Sequence, residues 1–252
     1  QQAMSQTITG IMFARELGIE LRKIKTLGQA LLLQSIGLSK LKPALLIKHN
    51  AERPTEDYQN HVVKTLNELR KFKTLSLAIY TTVENQCERF DGQGFPLNKA
   101  GKDIPILSQI MSIVSYYENL VAPINQSKAI SSSDAMSRIF AQKGKMFEPS
   151  LAEAFIKSFG IYPTGSVVEL SDSSKAVVIE QNKDRRLNAT VALVENHFGA
   201  KVEEPKIINL ADKKLADLTI KSSLPMSEVD SQQFRKCSKL FNQKRKFFGL
   251  FG

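Results

Sequence analysis

The sequence predicts a mainly α-helical protein with a small antiparallel β appendage towards its C-terminal end. Up to about residue 160, apolar residues recur with the spacing of amphipathic or buried helices. After Gly160 the apolar segments become short, rich in valine and separated by turn-forming residues, which is typical of strands. A length of 252 residues with 42% apolar and 24% charged residues fits one large domain and a small addition.

About seven helices are predicted in residues 1–160. The first, ITGIMFARELGI, carries its apolar residues at helical spacing, and Gly18 is expected to cap its C-terminal end. The second is apolar nearly all round and is expected to end at Gly37. A third helix is expected to begin near Pro54. The helical segments that follow the first are LGQALLLQSI, HVVKTLNEL, TLSLAIYTTVEN, PILSQIMSIVSYYENLV, SSSDAMSRIFAQ and EPSLAEAFIKSF.

Residues 161–220 are predicted to form the β appendage, and residues 221–252 a linker followed by a basic and aromatic tail. The strand candidates are VVEL, KAVVIEQ, ATVALVEN and one or two of PKIIN and DLTI. The tail, FRKCSKLFNQKRKFFGLFG, contains no acidic residue. Such a segment can contact an anionic membrane surface or a partner's groove, and the alternatives are a disordered tail or a helix packed on its own domain.

Composition excludes several classes of protein. Two cysteines, Cys87 and Cys237, cannot make a disulfide framework or a multi-cysteine zinc module. No apolar run approaches the roughly 20 residues of a membrane span, and no secretory signal is visible, so we expect a cytoplasmic location. The net charge of +10 suggests anionic partners. Because no nucleic-acid-reading element accompanies that charge, we expect no nucleic-acid binding.

The sharpest local signal is the loop ERFDGQGFP, residues 88–96. Gly92 and Gly94 permit positive φ and close backbone approach, while the Asp91 carboxylate can hold the turn. Phe95 supplies an apolar anchor, and Pro96 fixes the exit of the loop. From these residues alone, a rigid structural loop is the ordinary interpretation.

The loop resembles the signature HHERxDGxGYP of the HD-GYP family, which comprises bacterial cyclic di-GMP phosphodiesterases on an all-helical HD fold. Other motifs occur in the family's order over about residues 6–180. The segment LLLQSIGL resembles LLHDIGK, and GKDIPILSQIMSIVSYYENL resembles GEEIPLLARIxAVADAYDAM. The resemblance implies an HD-domain helical bundle, with a degenerate HD-GYP domain over residues 1–160.

The resemblance also implies where metal ligands would lie, and most of those positions carry other residues. The family's histidine and aspartate positions fall on Gln34, Ser35, His61, Gln86, Cys87 and Ser115. A single retained histidine cannot hold a metal pair, and His49 and His197 lie in unsuitable contexts. We therefore expect no bound metal, no cofactor and no catalytic residue. The ordinary alternatives are a buried, hydrogen-bonded His61 and, for Cys87, a small buried hydrophobe.

These substitutions favour a catalytically inactive HD-GYP-like module, a pseudoenzyme that acts in bacterial signal transduction through protein–protein interaction. The expected contact surface is the loop, through Arg89, Asp91, Gly92, Gly94, Phe95 and Pro96. The resemblance implies a diguanylate cyclase (GGDEF-type) domain as its partner. The alternative is a receptor for cyclic di-GMP or another nucleotide, and a residual metal-dependent phosphodiesterase is the least favoured interpretation.

Overall fold

A computed structural model describes residues 2–41, 56–123, 128–182, 188–212, 215 and 217–247. The chain divides into two compact units. The first comprises Gln1–Lys128 and Ser137–Ser158, and the second comprises Ala129–Met136 and Phe159–Gly252. His49 and the predicted start of the third helix near Pro54 lie outside the described residues.

The predicted mainly α architecture is confirmed. In the described part of residues 1–160 the helices are α1 (Gln2–Glu16), α2 (Leu21–Leu33), α3 (Glu56–Leu69), α4 (Leu77–Glu84), α5 (Ile106–Val121), α6 (Ser132–Ala141) and α7 (Pro149–Phe159), with short 3-10 helices at Ile36–Lys40 and Gly101–Asp103. Gly18 has φ +69°, as expected of a C-cap.

Gly37 does not end the second helix, contrary to prediction. Helix α2 ends at Leu33, and Gly37 lies inside the following 3-10 helix. A Cβ on Gly37 would lie 2.2 Å from the carbonyl oxygen of His61. Glycine is needed there because the 3-10 helix and α3 approach each other along their backbones.

The core of the first unit forms around α5, whose apolar face is buried along its length. Ile110, Ile113 and Val114 are fully buried on that face. Phe13 of α1 packs edge-to-face on Phe155 of α7, with ring centroids 5.0 Å apart. This packing fixes the helices that carry the candidate site.

The second unit contains a five-stranded antiparallel sheet in the order β4-β3-β2-β1-β5. The strands are β1 (Val167–Leu170), β2 (Lys175–Glu180), β3 (Thr190–Glu195), β4 (Lys201–Asn209) and β5 (Ile220–Leu224). Alternating residues form apolar clusters on its two faces, one around Val168 and Val178 and the other around Val177 and Ala192. The predicted β appendage is confirmed.

The C-terminal region differs from the predicted linker and tail. The DLTI strand is displaced to β5, which lies mostly in the predicted linker and pairs with β1. Helix α8 (Ser231–Phe247) follows, and its Cys237 is fully buried against the sheet with Phe234 and Leu240 packed around it. The segment up to Leu240 therefore packs on its own domain, while the side chains of Phe247, Phe248 and Phe251 lie outside the described residues.

Among the described helices, none has the length and apolar character needed to cross a membrane.

Candidate functional site

The loop after α4 is held in place by the buried carboxylate of Glu88. Its two oxygens accept the backbone N–H groups of Leu97, at 2.7 Å, and of Lys99, at 2.9 Å. Glu88 is 2% exposed. A buried carboxylate that accepts two backbone donors ties the two ends of the loop together.

Arg89 and Asp91 form a second tie inside the loop. Arg89 Nε and Nη2 donate to the two oxygens of Asp91 at 3.0 and 2.7 Å, and Asp91 Oδ1 also accepts the N–H of Gln93. The hydrogen bonds from Arg89 hold the pKa of Asp91 below its ordinary value. Arg89 and Asp91 thus satisfy each other at the surface of the loop.

The two loop glycines have different roles. Gly92 has φ +77°, as the sequence allowed, but Gly94 does not adopt a positive φ. A Cβ on Gly94 would instead lie 2.3 Å from the backbone nitrogen of Arg89. Gly94 is therefore required by close backbone approach, while Phe95 and Pro96 are half-buried beside it.

Gln34 and Ser115, two positions that the resemblance assigns to metal ligands, are joined in a hydrogen-bonded relay. Ser115 Oγ donates to Gln34 Oε1 at 3.0 Å, and Gln34 Nε2 donates to Gln6 Oε1 at 2.9 Å. The Thr65 hydroxyl accepts the N–H of Gly37, and its single hydrogen is within reach of the main-chain carbonyl oxygens of His61, at 2.9 Å, and of Gln34, at 3.2 Å. We call Gln6, Gln34, Thr65 and Ser115 the interior relay. It links α1, α2, α3 and α5.

His61 is buried and hydrogen-bonded, as the ordinary interpretation expected. Its Nδ1 lies 2.7 Å from the carbonyl oxygen of Tyr58, so Nδ1 carries the proton. Burial lowers the pKa of His61 to about 4, and the hydrogen bond to Tyr58 opposes that shift. The imidazole is neutral at physiological pH and packs against the rings of Tyr58 and Phe95.

Beside the interior relay lies an open cleft of about 690 Å³, including the solvent at its mouth. It brings together three of the predicted metal-ligand positions, Gln86, Cys87 and Ser115, with Arg89 and Phe95 of the loop. Gln34 lies behind Ser115 in the interior relay. Ser35 precedes the 3-10 helix, where its carbonyl accepts the N–H of Leu38. The cleft is lined by Tyr58, Gln59, Gln86, Cys87, Glu88, Arg89, Gln93, Phe95, Ser112, Ser115, Tyr116, Asn119 and Met146.

Neutral groups form the wall of the cleft beside Gln86. Burial, and then the charge of Glu88, raise the pKa of the Cys87 thiol, which is half-buried in the cleft. Burial also raises the pKa of the Tyr58 hydroxyl. Both groups are therefore protonated at physiological pH. Cys87 offers little thiolate for nucleophilic chemistry or metal binding.

Gln86 differs from the interior relay because the donor of its side-chain amide has no partner among the described residues. The side chain is 7% exposed, and its Nε2 makes no hydrogen bond within the described part of the chain. A buried amide donor without an acceptor costs stability unless a ligand or water satisfies it. Gln86 is thus a candidate ligand-binding group.

The family resemblance implies a metal pair, and the described side chains do not fit one. No group of three or more His, Cys, Asp or Glu residues in the described ranges is placed to hold an ion. At the corresponding positions, Gln34 and Ser115 hydrogen-bond to each other, His61 binds the Tyr58 carbonyl, and Cys87 keeps its proton. We derive no step through a metal.

Several residues of this region were not identified from the sequence. Gln6 and Thr65 complete the interior relay, and Tyr58, Gln59 and Asn119 line the cleft. The sequence does hold a signal for Gln6 and Thr65, because each is an uncharged polar residue on the buried face of its helix, next to apolar residues. No spacing in the sequence connects either residue with Gln34.

Comparison with known protein families identifies the helical part of the chain. A family model described as an HD domain matches residues 2–151. An HDG"Y"P protein from Bdellovibrio bacteriovorus superposes with a TM-score of 0.50 at 15% identity, covering 61% of this chain and 50% of that one. That likeness concerns the fold.

The curated relatives that match are named as phosphodiesterases. A cyclic di-GMP phosphodiesterase of Pseudomonas aeruginosa is 26% identical over 174 residues, which are 68% of this chain and 42% of the relative. A probable cyclic di-GMP phosphodiesterase of Vibrio cholerae is 27% identical over 142 residues, 53% of this chain and 32% of the relative. The chain thus spans less than half the length of these relatives.

These relatives correct one prediction. The sequence was interpreted as that of a protein that is not an enzyme, because most positions for metal ligands carry other residues. The relatives are named as enzymes that act on cyclic di-GMP, so the family points to an enzyme. The prediction gave too much weight to single positions and too little to the family as a whole.

Proposed function

The chain belongs to the HD domain family, and on that basis we propose that it acts in cyclic di-GMP signalling by binding a cyclic dinucleotide in the cleft beside Gln86. The names of its curated relatives supply the ligand class. The cleft supplies the place, since it contains three of the positions that the family resemblance assigns to the active site.

The observation that carries the proposal is the buried Gln86 amide. Its Nε2 has no acceptor in the described structure, whereas the nearby Glu88 carboxylate and Arg89 guanidinium both make hydrogen bonds that order the loop. Gln86 lines the cleft, but its Nε2 is closed to solvent, so a ligand acceptor would reach this donor only after the side chain turns towards the cleft. The hydrogen bond then formed would recover a desolvation cost that the fold already bears. The unsatisfied donor therefore favours a binding site over a structural one.

The rigidity of the loop supports the same proposal. Glu88 and Asp91 fix the backbone on the C-terminal side of Gln86, and the N–H of Phe95 donates to the carbonyl of Cys87 at 3.2 Å. A binding residue held by such contacts loses little conformational entropy when a ligand arrives.

Calorimetric titration of the full chain with cyclic di-GMP tests the proposal, with chromatography of the same samples for linear products. We expect saturable binding that Gln86→Leu weakens about tenfold, because one hydrogen bond is lost. Gln29→Ala, an exposed glutamine on α2, is the matched control and is expected to bind as the wild type does. Absence of binding, or equal binding by Gln86→Leu, contradicts the proposal.

A second candidate function is protein binding through the loop Arg89–Pro96. It is favoured by the internal ties of the loop and by the adjacent Leu97, whose side chain is 47% exposed. A GGDEF domain is the partner to test. We expect Leu97→Asp to weaken its calorimetric binding while cyclic di-GMP binding is unchanged, and absence of binding to the wild-type chain contradicts this candidate.

A further inference from the structure

Four carboxamide side chains lie along the cleft. Gln59, Gln86, Gln93 and Asn119 all line it. Each carries one acceptor and a two-hydrogen donor in a single plane. That arrangement matches the paired donor and acceptor groups on the edge of a nucleobase.

The orientation of Asn119 is set from behind. Its Oδ1 accepts the side-chain amide of Gln2 at 2.7 Å. The Asn119 NH₂ group is therefore the part of this side chain left to donate. Gln86, which also lines the cleft, carries a second amide whose buried Nε2 has no partner in the described structure.

The charged side chains that line the cleft are already engaged. Arg89 binds both oxygens of Asp91, and the Glu88 carboxylate accepts two backbone N–H groups of the loop. Arg frequently binds a phosphate through two N–H groups on one edge of its guanidinium. In Arg89, Nε and Nη2 already bond the two oxygens of a carboxylate.

Aromatic rings complete the lining. Tyr58, Phe95 and Tyr116 all border the cleft. Tyr58 and Phe95 are positioned by contacts with His61, and Tyr116 packs on Phe147 with ring centroids 5.3 Å apart. Proteins that read unpaired bases combine aromatic stacking with polar side chains on the base edge.

We infer that the cleft recognises a nucleobase, through its carboxamides and aromatic rings, rather than a phosphate group. The inference rests on the proposed function and adds the part of the ligand that is read. The inference predicts that a nucleoside binds in the cleft even without a phosphate group. Because the charged side chains of the cleft are already engaged within the protein, base recognition also predicts binding that changes little with ionic strength, whereas pairing with a phosphate would be screened by salt.

Saturation-transfer NMR and calorimetry with simple probes test the inference on the full chain. The probes are guanosine, adenosine, ribose 5-phosphate and inorganic phosphate. We expect one of the nucleosides to bind, with the strongest saturation on base protons, and neither phosphate probe to displace it at equal concentration. Gln86→Leu is expected to weaken nucleoside binding about tenfold. If that variant does not fold, Gln59→Ala at the same cleft is expected to weaken nucleoside binding severalfold, and Gln29→Ala is the control for both.

The outcomes separate this inference from the proposed function. If cyclic di-GMP binds and neither nucleoside does, or if phosphate displaces the ligand, base recognition is overturned while the proposed function stands. If neither the nucleosides nor cyclic di-GMP bind, both fail. Nucleoside binding that Gln86→Leu and Gln59→Ala leave unchanged also overturns the inference, because the site would lie elsewhere.

Discussion

The interior relay and the wall of the cleft lie close together, but they differ in whether their buried amide groups have hydrogen-bond partners. In the interior relay, both ends of the Gln34 amide have partners, Gln6 and Ser115. At the wall of the cleft, the equally buried Gln86 amide has a donor with none in the described structure. The difference teaches that two equally buried amides in neighbouring positions can differ in whether the fold satisfies them, and this contrast is what the predictions below test.

Gly37→Ala is expected to have the largest effect on stability, because it disrupts the close contact between the 3-10 helix and α3 beside the interior relay. Its Cβ would lie 2.2 Å from the His61 carbonyl and 2.5 Å from the Thr65 nitrogen, both backbone atoms. We expect a loss of about 3 kcal/mol in the free energy of unfolding by urea denaturation. Ser39→Ala, in the same 3-10 helix and exposed, is the control. A Gly37→Ala protein as stable as the wild type would contradict this, because it would show that the 3-10 helix and α3 can move apart at little cost in free energy.

Acid is expected to destabilise the same region through His61. Burial lowers the pKa of His61 to about 4 from an ordinary 6.5, so the unfolded chain binds more protons between these values. The stability that His61 contributes is complete above about pH 6.5 and is lost as the pH falls towards 4, by roughly 3 kcal/mol in all. Urea denaturation from pH 7 to 4 measures it. The slope should flatten in His61→Leu and persist in the exposed His197→Asn, and an equal slope in His61→Leu would contradict this account.

Gln34→Leu removes the central amide of the interior relay and so tests how much a satisfied buried amide contributes to stability. The buried Gln6 then loses its donor and Ser115 loses its acceptor, so we expect a loss of about 2 kcal/mol in the free energy of unfolding. A second substitution, Gln6→Leu, should recover part of that loss because it removes the orphaned acceptor. No recovery would mean that the relay acts through shape and not through hydrogen bonding.

Gln86→Leu is expected to have the smallest effect on stability and the opposite sign. It removes a buried donor that has no partner in the described structure, so the free energy of unfolding should stay the same or rise by up to about 1 kcal/mol. Thermal melting without ligand, beside Gln34→Leu, measures the contrast. A loss as large as that of Gln34→Leu would show that Gln86 also holds the fold.

The sequence predicted the elements of the fold well, because most of them follow from local patterning. The segment PILSQIMSIVSYYENLV became α5 with its apolar face buried, and VVEL, KAVVIEQ and ATVALVEN became β1, β2 and β3. Strand β5 was missed because KSSL has little apolar character. It is a strand through its pairing with β1, a contact about 50 residues away in the chain that local patterning does not encode.

The candidate site could be predicted in its positions but not in its contacts. The family resemblance placed Gln86, Cys87 and Ser115 together, and the structure places them in one cleft. The division between the satisfied Gln34 amide and the unsatisfied Gln86 donor depends on Gln6 and Ser115, which come from other helices. Such partners are set by tertiary packing, so the resemblance alone could not separate a satisfied amide from an unsatisfied one.

The most direct test of the proposed site is the NMR signal of the Gln86 side-chain amide as cyclic di-GMP is added to ¹⁵N-labelled protein. Its assignment follows from the loss of that signal in Gln86→Leu, and the exposed Gln29 amide serves as the internal control. The account predicts that the Gln86 amide signal shifts with saturation while that of Gln29 does not move. A Gln86 signal that stays in place at saturating cyclic di-GMP would contradict it.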